Sequence, residues 1–207
     1  MKKFLTICVI LLFIVTIVPT SAEAATNTYT VQSGDSLWKI AVKYEVGLSE
    51  IISNNPQIKN PALIYPGQKI NIPTIQDVKA LENEVIKLVN IERSKKGLPA
   101  LKSNWQLSRC ARYKSQDMIN KNYFSHQSPT YGSPFKMMES FGLKFSSAGE
   151  NIAKGQRTPQ EVMNSWMNSS GHRSNILSSS FSEIGVGLAK DQYGRCYWTQ
   201  MFMRPAK

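Results

Sequence analysis

Residues suited to acid-base and metal chemistry are scarce in this chain of 207 residues, which has two histidines and three cysteines. The chain has no His-Glu-x-x-His segment, no Cys-x-x-Cys pair and no Gly-x-Ser-x-Gly turn. These absences argue against a zincin-type protease, a zinc site with short ligand spacing and a serine hydrolase with a nucleophile elbow. Lys and Arg do not form a tight cluster interleaved with aromatic residues, which argues against a nucleic-acid partner.

Long apolar runs are also few, and the clearest extends from Phe4 to Val18. Lys2 and Lys3 precede it, and Ala22-Glu23-Ala24 follows it with the small-x-small pattern of a signal-peptidase site. Because the run is short for a membrane span, we interpret residues 1–24 as a secretion signal. The alternative is an uncleaved anchor. Cleavage would give a secreted, extracellular protein with no stable membrane span.

Positive charge predominates, with 25 Lys and Arg against 14 Asp and Glu and a formal net charge of +11. Cleavage after Ala24 removes two lysines and one glutamate, which lowers the formal net charge to +10. In a secreted protein this charge favours anionic wall polymers as partners. A basic surface that only aids solubility is the alternative.

Two cysteines, Cys110 and Cys196, remain after the signal is removed. An oxidising compartment would allow a disulfide between them. The alternative is a pair of buried thiols that pack as small hydrophobic side chains.

Residues 29–73, after a short leader at 25–28, have the pattern of a strand, two helices and a final strand. Asp35 or Ser36 is placed to cap the first helix and Ser49 the second, and residues 69–73 alternate like a strand. Trp38 shares helical spacing with Ala41, which predicts a core position for its ring. The pattern predicts a small α+β unit with antiparallel strands.

Three segments of this unit, 29–41, 63–68 and 71–73, resemble a LysM domain from end to end. The resemblance implies a βααβ fold that binds peptidoglycan or a related N-acetylated glycan and requires no cofactor. It places the glycan groove between two loops, with backbone groups that match the N-acetyl amide and small apolar walls. The predicted groove residues are Gly34, Asp35, Ser36, Leu37, Asn55, Pro56, Ile58, Leu63, Ile64 and Tyr65.

A larger domain is predicted at residues 78–204, after a linker at 74–77 in which Asp77 is the predicted helix N-cap. Apolar residues at helical spacing from Val78 predict a first amphipathic helix. Asn104, Ser133 and Pro159 are each placed to begin another helix. Residues 184–189 and 196–202 read as a terminal hairpin, which again indicates an α+β fold.

Four segments of this domain, 124–129, 149–153, 166–173 and 184–187, resemble the CAP superfamily in its bacterial form. The resemblance implies an α-β-α sandwich whose cleft is lined by His126, Glu150 and His172. A second glutamate of the animal and plant members is replaced here by Ser169. Glu183 lies nearby in sequence but at another motif position, so it is only a weak candidate.

The chemistry of this cleft has three interpretations. Glu150 holds the histidines in place by hydrogen bonds, the three residues bind a divalent cation such as zinc, or Glu150 acts as a base on water. A serine hydrolase built on Ser125 or Ser128 beside His126 is a competing interpretation, although residues adjacent in sequence seldom form such a pair.

For the whole chain we expect a wall-associated protein that binds glycan through LysM and presents the CAP domain, during envelope growth or in spore assembly. Binding is favoured over catalysis. The alternatives are a metal-dependent or Glu/His-dependent hydrolase of wall or protein substrates, and a lipid-binding CAP protein.

Overall fold

A computed structural model describes residues 26–207, so the predicted signal at residues 1–24 lies outside the described residues. Within the described part, no helix is both long and apolar enough to cross a membrane. The elements in chain order are β1 (Thr26–Thr30), α1 (Leu37–Tyr44), α2 (Leu48–Ser53), β2 (Lys69–Pro73), α3 (Gln76–Ser94), β3 (Lys102–Ser103), α4 (Trp105–Asn120), α5 (Pro134–Ser140), β4 (Phe145–Lys154), α6 (Pro159–Met167), α7 (Ser170–Ile176), β5 (Glu183–Lys190) and β6 (Cys196–Pro205).

The first four elements form the predicted βααβ unit. β1 and β2 pair antiparallel, with Tyr29 opposite Ile70. The Ser36 hydroxyl accepts a hydrogen bond from the Lys39 amide at 3.2 Å, which caps α1 as predicted. The buried side chains of the unit form their own core, which consists of Val31, Leu37, Ile40, Ala41, Val46, Ile51, Ile58, Ile70 and Ile72.

Three element boundaries differ from the prediction. β1 begins at Thr26, within the predicted leader, because Thr26 pairs with Pro73 at the end of β2. α2 begins at Leu48 and not after Ser49, since the Glu50 carboxylate accepts a hydrogen bond from the Gly47 amide at 2.6 Å and satisfies that helix end. α3 begins at Gln76, which places Asp77 in its first turn and shortens the predicted linker.

The remaining elements form the predicted α-β-α sandwich. A four-stranded sheet has the order β3-β5-β6-β4, in which β3 is parallel to β5 and the other pairs are antiparallel. One core contains side chains of α3, α6 and α7, and a second contains side chains of α4 and α5, each with residues of the sheet. β4 lies at one edge of the sheet and carries Glu150, one of the predicted cleft residues.

Two glycines of β5 explain the close packing of α4 on the sheet. A Cβ added at Gly185 would lie 2.3 Å from backbone atoms of Leu107 and Ser108. A Cβ added at Gly187 would lie 2.0 Å from the backbone nitrogen of Arg112. Only residues without a side chain allow the helix backbone this close. The Ile-Gly-Val-Gly segment is therefore a packing requirement of the fold.

Of the two alternatives for Cys110 and Cys196, the structure shows the pair of buried thiols and not the disulfide. Both side chains are described, and both are buried free thiols. They pack in two different cores, Cys110 with α4 and α5 and Cys196 with α3 and α6. Burial raises the pKa of each thiol, as expected for a side chain that packs as a small hydrophobic group.

The two domains contact each other through α2 and α4. The Arg109 guanidinium donates to the Ser49 hydroxyl at 3.2 Å, and its Nε lies 3.5 Å from a Glu50 carboxylate oxygen. A Cβ on Gly47 would lie 2.3 Å from the same Nε. Lys79 forms an ion pair with Glu45 nearby. A glycine at position 47 therefore lets Arg109 reach across the domain boundary.

Candidate functional site

The LysM domain contains a groove of about 350 Å³ at one end of α1. Four of the predicted residues, Asp35, Ser36, Leu37 and Ile64, line it. Leu48, Pro61 and Ala62 complete its apolar wall, although the sequence patterns did not single them out. Pro61 and Ala62 could have been identified by their position between the predicted groove residues Ile58 and Leu63.

Trp38 also lines this groove, with 51% of its surface exposed. The prediction that its ring packs in the core was wrong. The buried face of α1 consists of Leu37, Ile40 and Ala41, and one further residue turns the side chain of Trp38 about 100° away from Leu37. An indole ring at the rim of a groove offers a flat apolar surface to a sugar ring.

Asp35 holds the first groove loop in shape. Its Oδ2 accepts hydrogen bonds from the Gln32 amide at 2.8 Å and from the Tyr29 hydroxyl at 2.7 Å. The Gln32 amide, followed by the Tyr29 hydroxyl, lowers the pKa of the Asp35 carboxyl. Gly34 beside it has a φ of 84°, which requires a residue that tolerates the left-handed region.

Two of the predicted groove residues have a structural role and lie outside the groove. The buried Asn55 side chain donates to the Ile51 and Asn71 carbonyls and accepts from the Asn71 amide, so it ties α2 to β2. Ile58 is buried in the LysM core. Gly34, Pro56, Leu63 and Tyr65 are outside the lining of the groove, and Leu63 and Tyr65 have exposed side chains on the surface.

The CAP cleft brings together His126 and Glu150. The His126 Nδ1 lies 2.7 Å from the Glu150 Oε1, and 53% of the His126 side chain but only 1% of the Glu150 side chain is exposed. The second oxygen, Oε2, is buried and has no hydrogen-bond partner within residues 26–207. A neutral His126 that donates from Nδ1 to the carboxylate keeps the lone pair of Nε2 available.

His172 approaches from α7, a helix that the sequence patterns did not predict. Burial lowers the pKa of His172, and the nearby His126 lowers it further. Both effects favour the neutral form of its imidazole. The side-chain amide of Asn151 on β4 donates to the His172 carbonyl at 3.1 Å and to the Gln200 side chain at 2.9 Å, which fixes α7 against the sheet.

The loop that carries His126 is held by a buried lysine of α4. Lys114 Nζ donates to the Ser125 carbonyl at 2.8 Å, to the His126 carbonyl at 2.9 Å and to the Tyr123 hydroxyl at 3.1 Å. Asp117, one turn further along α4, accepts from Tyr123, Ser128 and Thr130. A Lys and an Asp three residues apart on the apolar face of a helix were the available signal in the sequence.

The serine-hydrolase interpretation gains no support from this geometry. The Ser128 hydroxyl is buried and donates to Asp117 at 2.7 Å, while it accepts from the amides of Thr130 and Tyr131. The Ser125 hydroxyl accepts from the Gln127 amide. In the part of the chain that the structure describes, no hydrogen bond joins either serine side chain to a histidine.

Glu183, the weak candidate for the cleft, has a partner on another element. Its carboxylate accepts from the Asn104 side chain at 2.6 Å and so supports the N-cap of α4. Ser169, which replaces the family's second glutamate, is the N-cap residue of α7. Across residues 26–207 no three His, Cys, Asp or Glu side chains are grouped closely enough to hold a metal ion. Zinc binding by His126, Glu150 and His172 therefore stays a prediction without geometric support.

Comparisons with known proteins agree with both domains. The cysteine-rich secretory protein (CAP) family model matches residues 86–202, and the LysM domain model matches residues 29–73. The chain belongs to the CAP family and carries an N-terminal LysM domain.

Two similar proteins represent the two domains. "Uncharacterized protein YkwD" of Bacillus subtilis (strain 168) is 52% identical over 151 residues, which cover 72% of this chain and 56% of YkwD. The endolysin of Bacillus phage B103 is 47% identical over 47 residues, 23% of this chain and 18% of the endolysin. The chain therefore spans little more than half of YkwD.

A solved structure of an extracellular protein with a SCP domain, from Bacillus anthracis str. Ames, is 36% identical, with a TM-score of 0.57. The match covers 67% of this chain and 47% of that one.

Proposed function

We propose that this protein is secreted to a bacterial cell wall, where it binds peptidoglycan through the LysM groove and holds its CAP domain at that surface. LysM domains bind glycans that contain N-acetylglucosamine, and the LysM match spans residues 29–73. The observation that carries the proposal is the groove with Trp38 at its rim. The apolar run at residues 4–18 supports secretion, and the endolysin match supports a wall ligand.

The groove is suited to N-acetyl sugars for a chemical reason. An N-acetyl group presents an amide donor, an amide acceptor and a methyl group. Backbone amides of the Asp35 loop can pair with the amide, and Leu48, Pro61 and Ala62 can receive the methyl group. A shallow groove buries little of its ligand, so one LysM domain gives modest affinity. The basic surface of the chain adds attraction to an anionic wall.

The test is cosedimentation of the secreted chain with purified sacculi. Trp38→Ala removes the exposed ring, and we expect roughly two- to tenfold weaker binding, since a stacked aromatic contributes about 0.5–1.5 kcal/mol beyond its area. Phe135→Ala is the matched control, because Phe135 is an exposed aromatic of the CAP domain. Equal binding of the two variants would show that the groove does not hold the glycan.

Hydrolysis is a second candidate, and one observation favours it. Glu150 is buried and bonded to Nδ1 of the exposed His126, which leaves Nε2 free to accept a proton from water. In this arrangement the carboxylate orients the imidazole and stabilises its charged form. Release of soluble fragments from sacculi by the wild type, lost in both His126→Gln and Glu150→Gln, is the expected result. If both variants release as many fragments as the wild type, the pair is not catalytic.

Spore-envelope assembly and lipid binding both stay predictions.

A further inference from the structure

A second cavity of the CAP domain, of about 500 Å³, lies at the tip of the β5–β6 hairpin. It has aromatic, cationic and amide side chains around one opening. Its lining residues are Ile119, Asn120, Asn122, Lys154, Asp191, Gln192, Tyr193, Arg195 and Tyr197. We call this cavity the hairpin pocket. It is separate from the groove of the LysM domain and from the His126–Glu150 pair.

The cations of the hairpin pocket are only partly neutralised. Lys154 Nζ lies 4.8 Å from the centre of the Tyr197 ring and forms no ion pair within the described residues. Arg195 has a loose contact with Asp191, whose Oδ2 is 3.7 Å from the Arg195 Nε. The other carboxylate oxygen, Asp191 Oδ1, accepts hydrogen bonds from the backbone amides of Tyr193 and Arg195 within the turn. The pocket therefore presents positive charge to a ligand.

The neutral side chains of the pocket fit a saccharide. Tyr193 stands at the hairpin tip with 80% of its surface exposed, and it is the most exposed of the large hydrophobic residues described. A flat ring at this position can stack on the apolar face of a sugar. Asn120, Asn122 and Gln192 supply amide donors and acceptors for hydroxyl or N-acetyl groups.

The hairpin pocket and the cleft lie along one face of the same strand. Side chains alternate along a strand, so Glu150, Ile152 and Lys154 of β4 share a face. The register supports this, because Lys154 lies opposite Tyr197 and Glu150 lies opposite Met201. Glu150 and Lys154 are four positions apart on the strand, a distance of about 13 Å. β4 is an edge strand, and the buried Ile152 lies between the two sites on this face.

We infer that the hairpin pocket is a binding subsite for an anionic wall saccharide. Lys154 and Arg195 bind the carboxylate or phosphate of the ligand, and Tyr193 stacks on its sugar. The subsite rests on the proposed function, because it assumes a wall glycan as the ligand. It would add a second contact to the weak LysM groove and so raise the overall affinity through linkage.

The experiment measures binding of the secreted chain to two soluble probes by calorimetry. One probe is peptidoglycan fragments freed of phosphodiester polymers, and the other is a phosphodiester wall polymer. The variants are Lys154→Gln and Tyr193→Ala, each made in the wild type and in a Trp38→Ala background. Lys144→Gln is the control, because it removes an equal charge at an exposed position outside the pocket.

We expect both pocket variants to bind at least one probe about five- to tenfold more weakly than Lys144→Gln, in both backgrounds. The probe that responds identifies carboxylate or phosphate as the anion. Equal affinities of Lys154→Gln, Tyr193→Ala and Lys144→Gln for both probes would overturn the subsite. The Trp38→Ala change alone tests glycan binding by the LysM groove. A negative result there is therefore distinguishable from a negative result for the hairpin pocket.

Discussion

The lysine beneath the His126 loop offers the sharpest test of how the cleft is built. Lys114→Met keeps the length and apolar stem of the side chain but removes three hydrogen bonds from its ammonium group. The carbonyls of Ser125 and His126 then lose this donor, and each unsatisfied group costs about 1–3 kcal/mol. Removal of a buried charge returns part of that cost, because burial disfavours the ammonium and lowers the pKa of Lys114. We expect a net loss of about 1–4 kcal/mol.

Two measurements check this expectation. Urea denaturation of the CAP domain in the secreted chain gives the free energy of unfolding. Imidazole nitrogen NMR of His126 reports whether the bond from Nδ1 to Glu150 persists, and we expect it to weaken as the loop loosens. Lys87→Met is the control, since Lys87 is an exposed residue of α3. A change below about 0.5 kcal/mol together with an unaltered His126 spectrum would refute the role of Lys114.

Three further predictions concern packing, pH and charge. Gly187→Ala forces a Cβ against the Arg112 backbone and should cost about 3 kcal/mol or more in thermal unfolding, whereas Gly171→Ala, with open space around it, should be nearly neutral. Because the pKa of His172 is lowered in the folded state, stability should fall as pH drops below about 6.5, and His172→Gln should reduce that dependence in denaturation at pH 5 and 7. Glu82→Gln leaves the partly buried Arg112 without its anionic partner and should cost about 1.5–3 kcal/mol, while Glu82→Leu with Arg112→Met should recover most of it in the same assay.

The helices of this protein were predictable where a cap and an apolar stripe coincide in the sequence. Asn104 before α4 and Ser133 before α5 accept the expected hydrogen bonds from Leu107 and Lys136. Pro159 begins α6 as expected, with Thr158 as its cap. These caps join residues that are close in sequence, so the sequence alone is enough to predict them.

Two elements that the sequence patterns did not predict, β4 and α7, depend on long-range contacts. β4 lacks a regular alternation of apolar and polar residues, because Asn151 faces an interior amide network and Glu150 faces the cleft. α7 has only seven residues and is held by hydrogen bonds from Asn151 and Arg173 to backbone carbonyls. No pattern along the chain reveals such partners.

The site shows the same division. The resemblance brought together His126, Glu150 and His172 as cleft candidates, and the structure places His126 and Glu150 in direct contact. It did not indicate Lys114, because a lysine in an amphipathic helix normally points to solvent. Trp38 was misassigned for a similar reason. Its spacing with Ala41 fits either side of a narrow apolar stripe, and only the packed core decides which side is buried.

Helix α2 belongs to two surfaces at once. Leu48 lines the LysM groove, and the next residue, Ser49, receives the hydrogen bond from Arg109 of the CAP domain. A glycan that displaces α2 must therefore also alter the contact between the domains. By thermodynamic reciprocity, the factor by which glycan changes the docking equilibrium equals the factor by which docking changes glycan affinity. This six-residue helix thus makes the tether and the domain it carries parts of a single binding equilibrium.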